Sequence, residues 1–448
     1  MQALLISTYE MGRQPFGLAS PAAWLRAAGW DVGCLDLTRE RLDADRVAGA
    51  DLVGFYLPMH TATRLAMPVI AAVRRLNPRV RLCAYGLYAA LSADALGAVG
   101  VDDILGGEFE AELTAVARRV AAGEGGAGAP APRELARLRF LVPDRSGLPP
   151  LARYATLQQP DGTRRVVGYT EASRGCRHLC RHCPIVPVYE GQFRVVQPDV
   201  VLADVAGQVA AGARHITFGD PDFFNGPTHA MRIVAALHDA HPDVTYDVTI
   251  KVEHLLRHRD LLPALAATGC AFVTSAIESI DDEVLARLAK GHTRQDFLAA
   301  VDLCRAAALT LVPTFVAFHP WTTLERYCDL VDTLAALDLV DHVAPIQLAV
   351  RLLIPRGSRL FDLEEVRALA GPFDPATLTY RWVHRDPRVD DLQRAIADLV
   401  GVRLTGDRGA LFDEIAAMAC DAAGRPRPTA RPARDRATVP YLNEPWYC

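Results

Sequence analysis

Short apolar runs alternate with stretches of helical periodicity along the first quarter of the chain. The runs at 3–7, 32–37, 52–57, 80–85 and 103–105 have strand length. Between them apolar positions recur at helical spacing, as in 21–28, which Gly29 closes, and in 64–76. Strand–helix alternation predicts an α/β domain with a doubly wound, Rossmann-like parallel sheet. Ligands of such a sheet sit at the carboxyl ends of its strands. Those ends carry Thr8, Tyr9, Pro58, Met59, Gly86 and the run Gly106-Gly107-Glu108. The pattern stops at 123–132, which is mostly Gly, Ala and Pro and reads as a flexible boundary, and 142–150 is a second Pro/Gly/Asp-rich connector.

Alternation restarts at Val166. Strand-length runs fall at 166–170, 215–218, 246–251, 272–277, 311–318 and 343–353. Helical patterns fall at 200–211, 229–239, 260–268, 281–288, 293–308 and 324–337. A complete TIM barrel has eight strand–helix units. Six units predict a partial, open (β/α)6 TIM barrel with its chemistry at the strands' carboxyl ends. From about 374 the periodicity weakens; 392–404 and 411–422 read as helices and 425–436 as an extended Arg/Pro/Ala segment. The expected division is an α/β domain over 1–122, a linker over 123–165, the partial barrel over 166–365, and a helical C-terminal region with an extended tail over 366–448. No internal repeat is found.

Half of the residues are hydrophobic, enough for a large core, and the net charge of −5 carries no basic signature of nucleic-acid binding. Nearly all basic residues are arginine, with only Lys251 and Lys290 as lysines, which reads as a compositional bias. No apolar stretch reaches about 18 residues, so no membrane span is expected. Residues 1–7 lack the basic flank of a signal peptide. A cytoplasmic, reducing location is expected. It agrees with ten cysteines that form no disulfide framework. Cys34, Cys83, Cys270, Cys304, Cys328 and Cys420 lie in apolar segments and read as buried, inert thiols.

Three other cysteines behave differently. Cys176, Cys180 and Cys183 share one short window, spaced C-x3-C-x2-C, just after the first barrel strand. A structural zinc site wants four ligands. His178 or His182 could add the fourth, but no second Cys/His pair stands at a fixed offset, and both histidines are expected exposed on the loop. A [4Fe-4S] cluster on three thiolates leaves one iron open, and Pro184 follows the last cysteine as in ferredoxin cluster loops. Gly219-Asp220-Pro221-Asp222-Phe223 ends the second strand. It reads either as a turn with an Asp cap or as a source of a carboxylate for a ligand ammonium. Ser275-Ala276-Ile277-Glu278-Ser279 ends the fourth strand. Glu278 needs a polar partner if buried, and Lys251 on the preceding strand is the candidate.

The cysteine loop after a strand, followed by a partial barrel, resembles the radical SAM superfamily over roughly 166–353. The resemblance implies that Cys176, Cys180 and Cys183 ligate three irons of a [4Fe-4S] cluster. The fourth iron would then chelate S-adenosylmethionine (SAM), and an electron from the cluster would cleave a carbon–sulfur bond to give a carbon radical. It implies cofactor contacts by Gly219, Asp220 and Asp222, in place of the family's Gly-Gly-Glu-like segment, from which this run departs. Ser275 and Glu278 are the implied contacts to the SAM ribose or carboxylate, with Lys251 beside them. Phe315 to His319 fall where the family packs apolar groups near adenine.

The first domain resembles the cobalamin-binding-like domains that precede many radical SAM barrels, in Gly106-Gly107-Glu108 and in the connector 142–150. Cobalamin is therefore a candidate third cofactor. The Asp-x-His-x-x-Gly motif that supplies a lower cobalt ligand is absent, so no histidine from it can hold cobalt. The end Glu444-Pro445-Trp446-Tyr447-Cys448 resembles the CUAEP- or CCAEP-tailed radical SAM (seleno)proteins. It raises the expectation that the reading frame continues through a UGA codon. Cys448 is then a candidate catalytic thiol, able to bind a soft element such as trivalent arsenic or to do thiol redox work; the other reading is an ordinary terminal cysteine.

The function implied is reductive cleavage of SAM and modification of an unidentified substrate, with or without cobalamin. One alternative is cobalamin-free transfer of a SAM-derived group to a soft element held by the tail. Another is a non-catalytic metal- or corrinoid-binding protein. The partners implied are a small-molecule or elemental substrate and a flavodoxin- or ferredoxin-type electron donor, with no nucleic acid and no membrane.

Overall fold

Runs that are apolar on both faces become central strands of a covered parallel sheet. In the computed structural model, which describes residues 1–124, 135, 137–403, 407–427 and 438–443, five such runs form β1 (Gln2–Ser7), β2 (Asp31–Asp36), β3 (Leu52–Tyr56), β4 (Arg81–Tyr85) and β5 (Asp103–Leu105). They pair in parallel in the order β2-β1-β3-β4-β5. Strand alternation divides the side chains between two cores. Ala3 and Leu5 face the helices Phe16–Ala27 and Phe109–Ala121, whereas Leu4 and Ile6 face the helix His60–Leu76. The first helix begins before Pro21, which the sequence reading took as its start. Phe16, Leu18 and Ala19 are buried and carry the apolar face one turn further back.

The second sheet has seven strands. Its members are β6 (Thr156–Gln158), β7 (Arg164–Thr170), β10 (His215–Phe218), β11 (Thr245–Thr249), β12 (Cys270–Glu278), β13 (Leu311–Phe315) and β16 (Tyr441–Leu442). Two small pairs stand apart from it, β8 (Ser173–Gly175) with β9 (Phe193–Val195) and β14 (Phe373–Asp374) with β15 (Thr379–Tyr380). The order is β13-β12-β11-β10-β7-β6-β16, and β7, β10, β11, β12 and β13 are parallel. Helices such as Pro198–Ala210, Pro227–Ala240, Arg294–Ala306 and Leu324–Ala336 cover the outside and bury the largest core of the protein against it. Helices Pro387–Val402 and Arg408–Ala423 follow the barrel. The mixed α/β, half-barrel architecture expected from the alternation is what folds.

Three details differ from the expectation. The run 343–353 is not a strand: it contains the 3-10 turn Pro345–Leu348 and touches the sheet through one parallel bridge, Phe318 to Arg351. Pro345 has no N–H for a ladder and fixes its own φ, which favours the turn. The expected linker holds β6, which pairs antiparallel with β7. The connector 142–150 is pinned by charges rather than loose. Asp144 Oδ2 lies 2.6 Å from Arg26 Nη1, and Arg145 donates to Asp204 at 2.8 Å and to the Tyr169 carbonyl at 2.6 Å. The C-terminal strand β16 pairs antiparallel with β6, so it runs in the same sense as β7. No helix among the described residues is long and apolar enough to cross a membrane.

Candidate functional site

β7 ends at Thr170, and the chain turns through Glu171 and Ala172 into β8 before entering the cysteine loop. Asp220 holds that turn: Ala172 N donates to Oδ2 at 2.9 Å and Ser173 Oγ to Oδ1 at 2.5 Å. Burial pushes the Asp220 carboxyl up to about 7, against those hydrogen bonds. Gly219 must be glycine, because a Cβ there would meet Tyr169 Oη at 1.8 Å. The loop is tied down at both ends. Asn225 Oδ1 accepts from Arg177 N at 3.2 Å and lies 4.0 Å from Cys176 Sγ, while Arg181 N donates to the Leu288 carbonyl at 2.9 Å.

The three thiols form no disulfide. Burial pushes Cys183 up to about 12, and Cys180 and Cys176 add to the rise while Lys290 works against it. Lys290 alone does not offset the sulfurs' opposition to one another's ionisation, and a bound metal centre supplies positive charge there. One further group near this mouth, His292, has both ring nitrogens buried without a hydrogen-bond partner among the described residues. Burial, then Lys290 and Lys251, hold His292 down to about 4. The donor set fits a cluster of the expected kind.

His178 and His182 are not exposed as expected. Each reaches from the loop to the carboxylate at the end of a barrel strand. His178 Nε2 lies 3.4 Å from Asp222 Oδ2, and His254 Nδ1 lies 2.7 Å from the same oxygen. Burial would raise Asp222, but the two imidazoles prevail and hold it down to about 2. His182 Nε2 lies 3.1 Å from Glu278 Oε1, and Lys290 Nζ lies 3.6 Å from it. Burial again opposes, and Lys290 and His182 hold Glu278 down to about 2. Glu278 also ends β12 with φ +69 beside a register shift, a left-handed turn uncommon for a residue with a Cβ.

Lys251 is therefore not the partner of Glu278. Its Nζ lies 3.6 Å from Glu253, and its backbone N donates to Asp222 Oδ1 at 3.4 Å. Ser275 is not brought to the mouth either. It shares the helix-facing side of β12 with Val273 and Ile277, which belong to the outer core, and the opposite face carries Thr274, Ala276 and Glu278. His319 is buried in a loop with Nδ1 3.2 Å from Thr322 Oγ1. The ligand atoms of Cys176, His178 and Asp222 lie within 4.8 Å of one another, a mixed donor set that could also take a single metal ion. Cys448 and the rest of 444–448 lie outside the described residues.

The carboxyl edge of the first sheet meets the barrel through Arg174, two residues before Cys176. Its guanidinium donates to Glu108 at 3.1 Å, to Glu110 at 2.7 and 2.9 Å and to Glu171 at 2.7 Å. The rings of Phe140, Phe109 and Phe16 stand 4.9, 5.2 and 5.7 Å from it. Tyr189 Oη donates to Glu108 Oε1 at 3.1 Å. In the loop after β1, at the carboxyl edge of the first sheet, stands Glu10. It is buried, its Oε2 has no hydrogen-bond partner among the described residues, and burial pushes its carboxyl well above the usual range.

Residues 170–334 match the model of the radical SAM superfamily, and they include the whole cysteine loop and both histidine–carboxylate pairs. The chain carries a radical SAM domain. Over part of its length it is 28% identical to a tRNA-2-methylthio-N(6)-dimethylallyladenosine synthase of Desulfosudis oleivorans, covering 42% of this chain and 40% of the relative. It is 29% identical to the enzyme of that name from Frankia casuarinae, over 38% and 33%. The chain spans less than half the length of these curated relatives. Among solved structures it is similar to the radical S-adenosylmethionine methyltransferase TsrM from Kitasatospora setae, with TM-score 0.63, 20% identity and coverage of 75% and 71%. It is also similar to the cobalamin-dependent S-adenosylmethionine radical enzyme OxsB, with TM-score 0.69, 14% identity and coverage of 93% and 67%. At these identities the likeness is one of fold. It embraces the radical SAM domain and the doubly wound sheet ahead of it.

Proposed function

We propose that this chain is a radical SAM enzyme that holds a [4Fe-4S] cluster on Cys176, Cys180 and Cys183 and modifies a small-molecule substrate. The observation that carries the reading is the cysteine trio directly beyond the first strand of a parallel half-barrel, with ionised Asp222 just beyond β10 and Glu278 at the end of β12. When bound, the cluster and SAM supply a carbon radical by reductive cleavage of a carbon–sulfur bond. The protein's own part is to position and enclose. Asp222 and Glu278 accept from cationic or hydroxyl groups of the cofactor, and Lys251 donates to anionic ones. The loop histidines hold the two carboxylates in place, and Gly219 lets the chain pass close to Tyr169. Ser275 has no part in this assignment, since it faces the helices.

A flavodoxin- or ferredoxin-type donor and a reducing, cytoplasmic setting go with this chemistry. The test is anaerobic incubation with SAM and dithionite, with products identified by mass spectrometry. 5′-Deoxyadenosine or methylthioadenosine is expected, and absence of any SAM cleavage product overturns the reading in favour of a binding protein or a mononuclear metal site.

A second reading adds a corrinoid at the carboxyl edge of the first sheet. In its favour is the architecture shared with TsrM and OxsB, both solved with cobalamin bound. Against it stands the absence of the Asp-x-His-x-x-Gly motif from the sequence. A corrinoid absorbance spectrum of anaerobically purified protein decides between them. A third reading uses Cys448 to hold a soft element for cobalamin-free group transfer. What favours it is the sense of β16, whose following residue Asn443 bonds to the Thr156 carbonyl on the way toward the barrel's carboxyl ends. Arsenite added with SAM, followed by mass spectrometry for an alkylated arsenical, tests it; none forming removes it.

A further inference from the structure

The half-barrel encloses a cavity of about 420 Å³, within the size range of small-molecule sites. Strand alternation sets its wall, where Thr217, Thr249, Thr274 and Thr314 are contributed by four adjacent parallel strands. One rim reaches Ile185, two residues after Cys183, and Gly219 and Pro221 beside the cysteine loop. The opposite end is closed by the C-terminal segment, through Tyr441 of β16 and Arg408 at the start of helix Arg408–Ala423.

The charges along this cavity are unevenly answered. The Arg408 guanidinium lies over the Tyr441 ring at 4.3 Å and donates Nη1 to the Asp341 carbonyl at 2.8 Å. The Asp341 carboxylate acts on it through space and accepts from Thr438 N and Oγ1, but no ion pair joins it to Arg408 among the described residues. An arginine has five N–H donors, so most remain to be answered. The two lining carboxylates are engaged elsewhere. Asp247 accepts from Thr217 Oγ1 at 2.6 Å and lies 2.9 Å from His215 Nε2, and Asp220 holds the turn before the cysteine loop. Arg13, from the loop after β1, adds a second guanidinium to the lining and stands over the Tyr169 ring at 5.1 Å. A guanidinium set against a cavity whose lining carboxylates are already engaged is costly unless the ligand supplies an anion.

We infer that the barrel lumen takes a small organic carboxylate, with its anionic group on Arg408 against the Tyr441 ring and its polar body along the threonine wall. The end of the molecule away from Arg408 then faces the rim beside the cysteine loop. This rests on the proposed function and names the substrate class of that site. The planar fork of arginine matches a carboxylate in two-point contact, which makes Arg408 the specificity-determining residue.

The test uses the full-length, anaerobically reconstituted protein and isothermal titration with glutarate, its neutral counterpart 1,5-pentanediol, and inorganic phosphate. Glutarate is expected to bind and the diol not to compete. Arg408→Gln should weaken glutarate binding by at least about tenfold, with Arg408→Lys between the two. Thr314→Val leaves the charge in place and should weaken binding by about threefold. It keeps the question open to disproof should Arg408→Gln fail to fold, as judged by circular dichroism. Unchanged glutarate binding in either folded variant, equal binding of the diol, or tighter binding of phosphate than of glutarate overturns the inference. SAM cleavage is measured on the same wild-type sample. A protein that cleaves no SAM sinks the proposed function, whereas one that cleaves SAM but binds no glutarate sinks this inference alone.

Discussion

The N-terminal sheet and the barrel sheet each align five parallel strands, yet the side chains at their carboxyl ends are organised in opposite ways. At the first sheet one guanidinium, Arg174, gathers Glu108, Glu110 and Glu171 under three aromatic rings. Three acids around one base leave excess negative charge in a dry place, and burial pushes Glu108 up to about 7 and Glu171 upward as well. At the barrel mouth each acid has its own partners: His178 and His254 for Asp222, His182 and Lys290 for Glu278. Both acids are held low. Ion pairing thus joins the two sheets at one edge and keeps carboxylates ionised beside the cysteine loop at the other. The same strand grammar yields a buttress in one place and a site in the other.

The largest effect should come from the cysteines, and it tests the site half of the contrast. Replacing Cys176, Cys180 or Cys183 by Ala should abolish the brown cluster absorbance and SAM cleavage together, read by anaerobic spectroscopy and mass spectrometry. Retained colour and turnover in any one variant would break the ligand assignment. Next comes Arg174→Ala, aimed at the buttress. It strands three buried carboxylates, and removing one partner of a buried ion set costs about 3–5 kcal/mol. Chemical denaturation should show a loss of that order; a loss below about 1 kcal/mol, the range of exposed pairs, would mean the seam is wet.

Much of this contrast could be read from local pattern, and its decisive parts could not. β1 to β5 follow from runs of strand length, and the cysteine loop from its spacing. The face of Ser275 was also legible: Val273, Ser275 and Ile277 alternate against Thr274, Ala276 and Glu278, so an outer position could be assigned by period two. The partners of Glu278 were not. His182 lies 96 residues away, and Lys251, on the preceding strand, was the one cation the sequence offered as a candidate. Glu110 and Glu108 lie 64 and 66 residues from Arg174 and share no motif with it. β16 has two residues, too few for any periodicity, yet it helps close the lumen.

Glu108→Gln should produce a smaller, pH-dependent change. The folded pKa of Glu108 stands at about 7 against an ordinary 4.5. Between those values the folded state keeps a proton that the unfolded state has lost, so stability falls as pH rises through that window and levels off above about 7. The fall is on the order of 3 kcal/mol. Glutamine mimics the protonated acid and cannot titrate. Its stability–pH curve should be flatter from pH 4.5 to 7, and the variant should match or exceed the wild type above pH 7. A curve parallel to the wild type would show that Glu108 is already ionised against Arg174.

Tyr189→Phe sharpens the same point with the smallest effect. The phenol donates to Glu108 Oε1, and that bond favours the ionised acid. Removing it raises the Glu108 pKa further. Below the wild-type folded pKa the acid is protonated in both proteins, so little is lost. Above it the wild type has an ionised carboxylate held by the phenol, while the variant has either an unanswered oxygen or a retained proton. The expected cost there is about 0.5–1.5 kcal/mol, with the midpoint of the stability–pH curve displaced upward. An equal cost at every pH would assign Tyr189 to packing alone, and the excess negative charge of the buttress would then rest on Arg174 without help from the phenol.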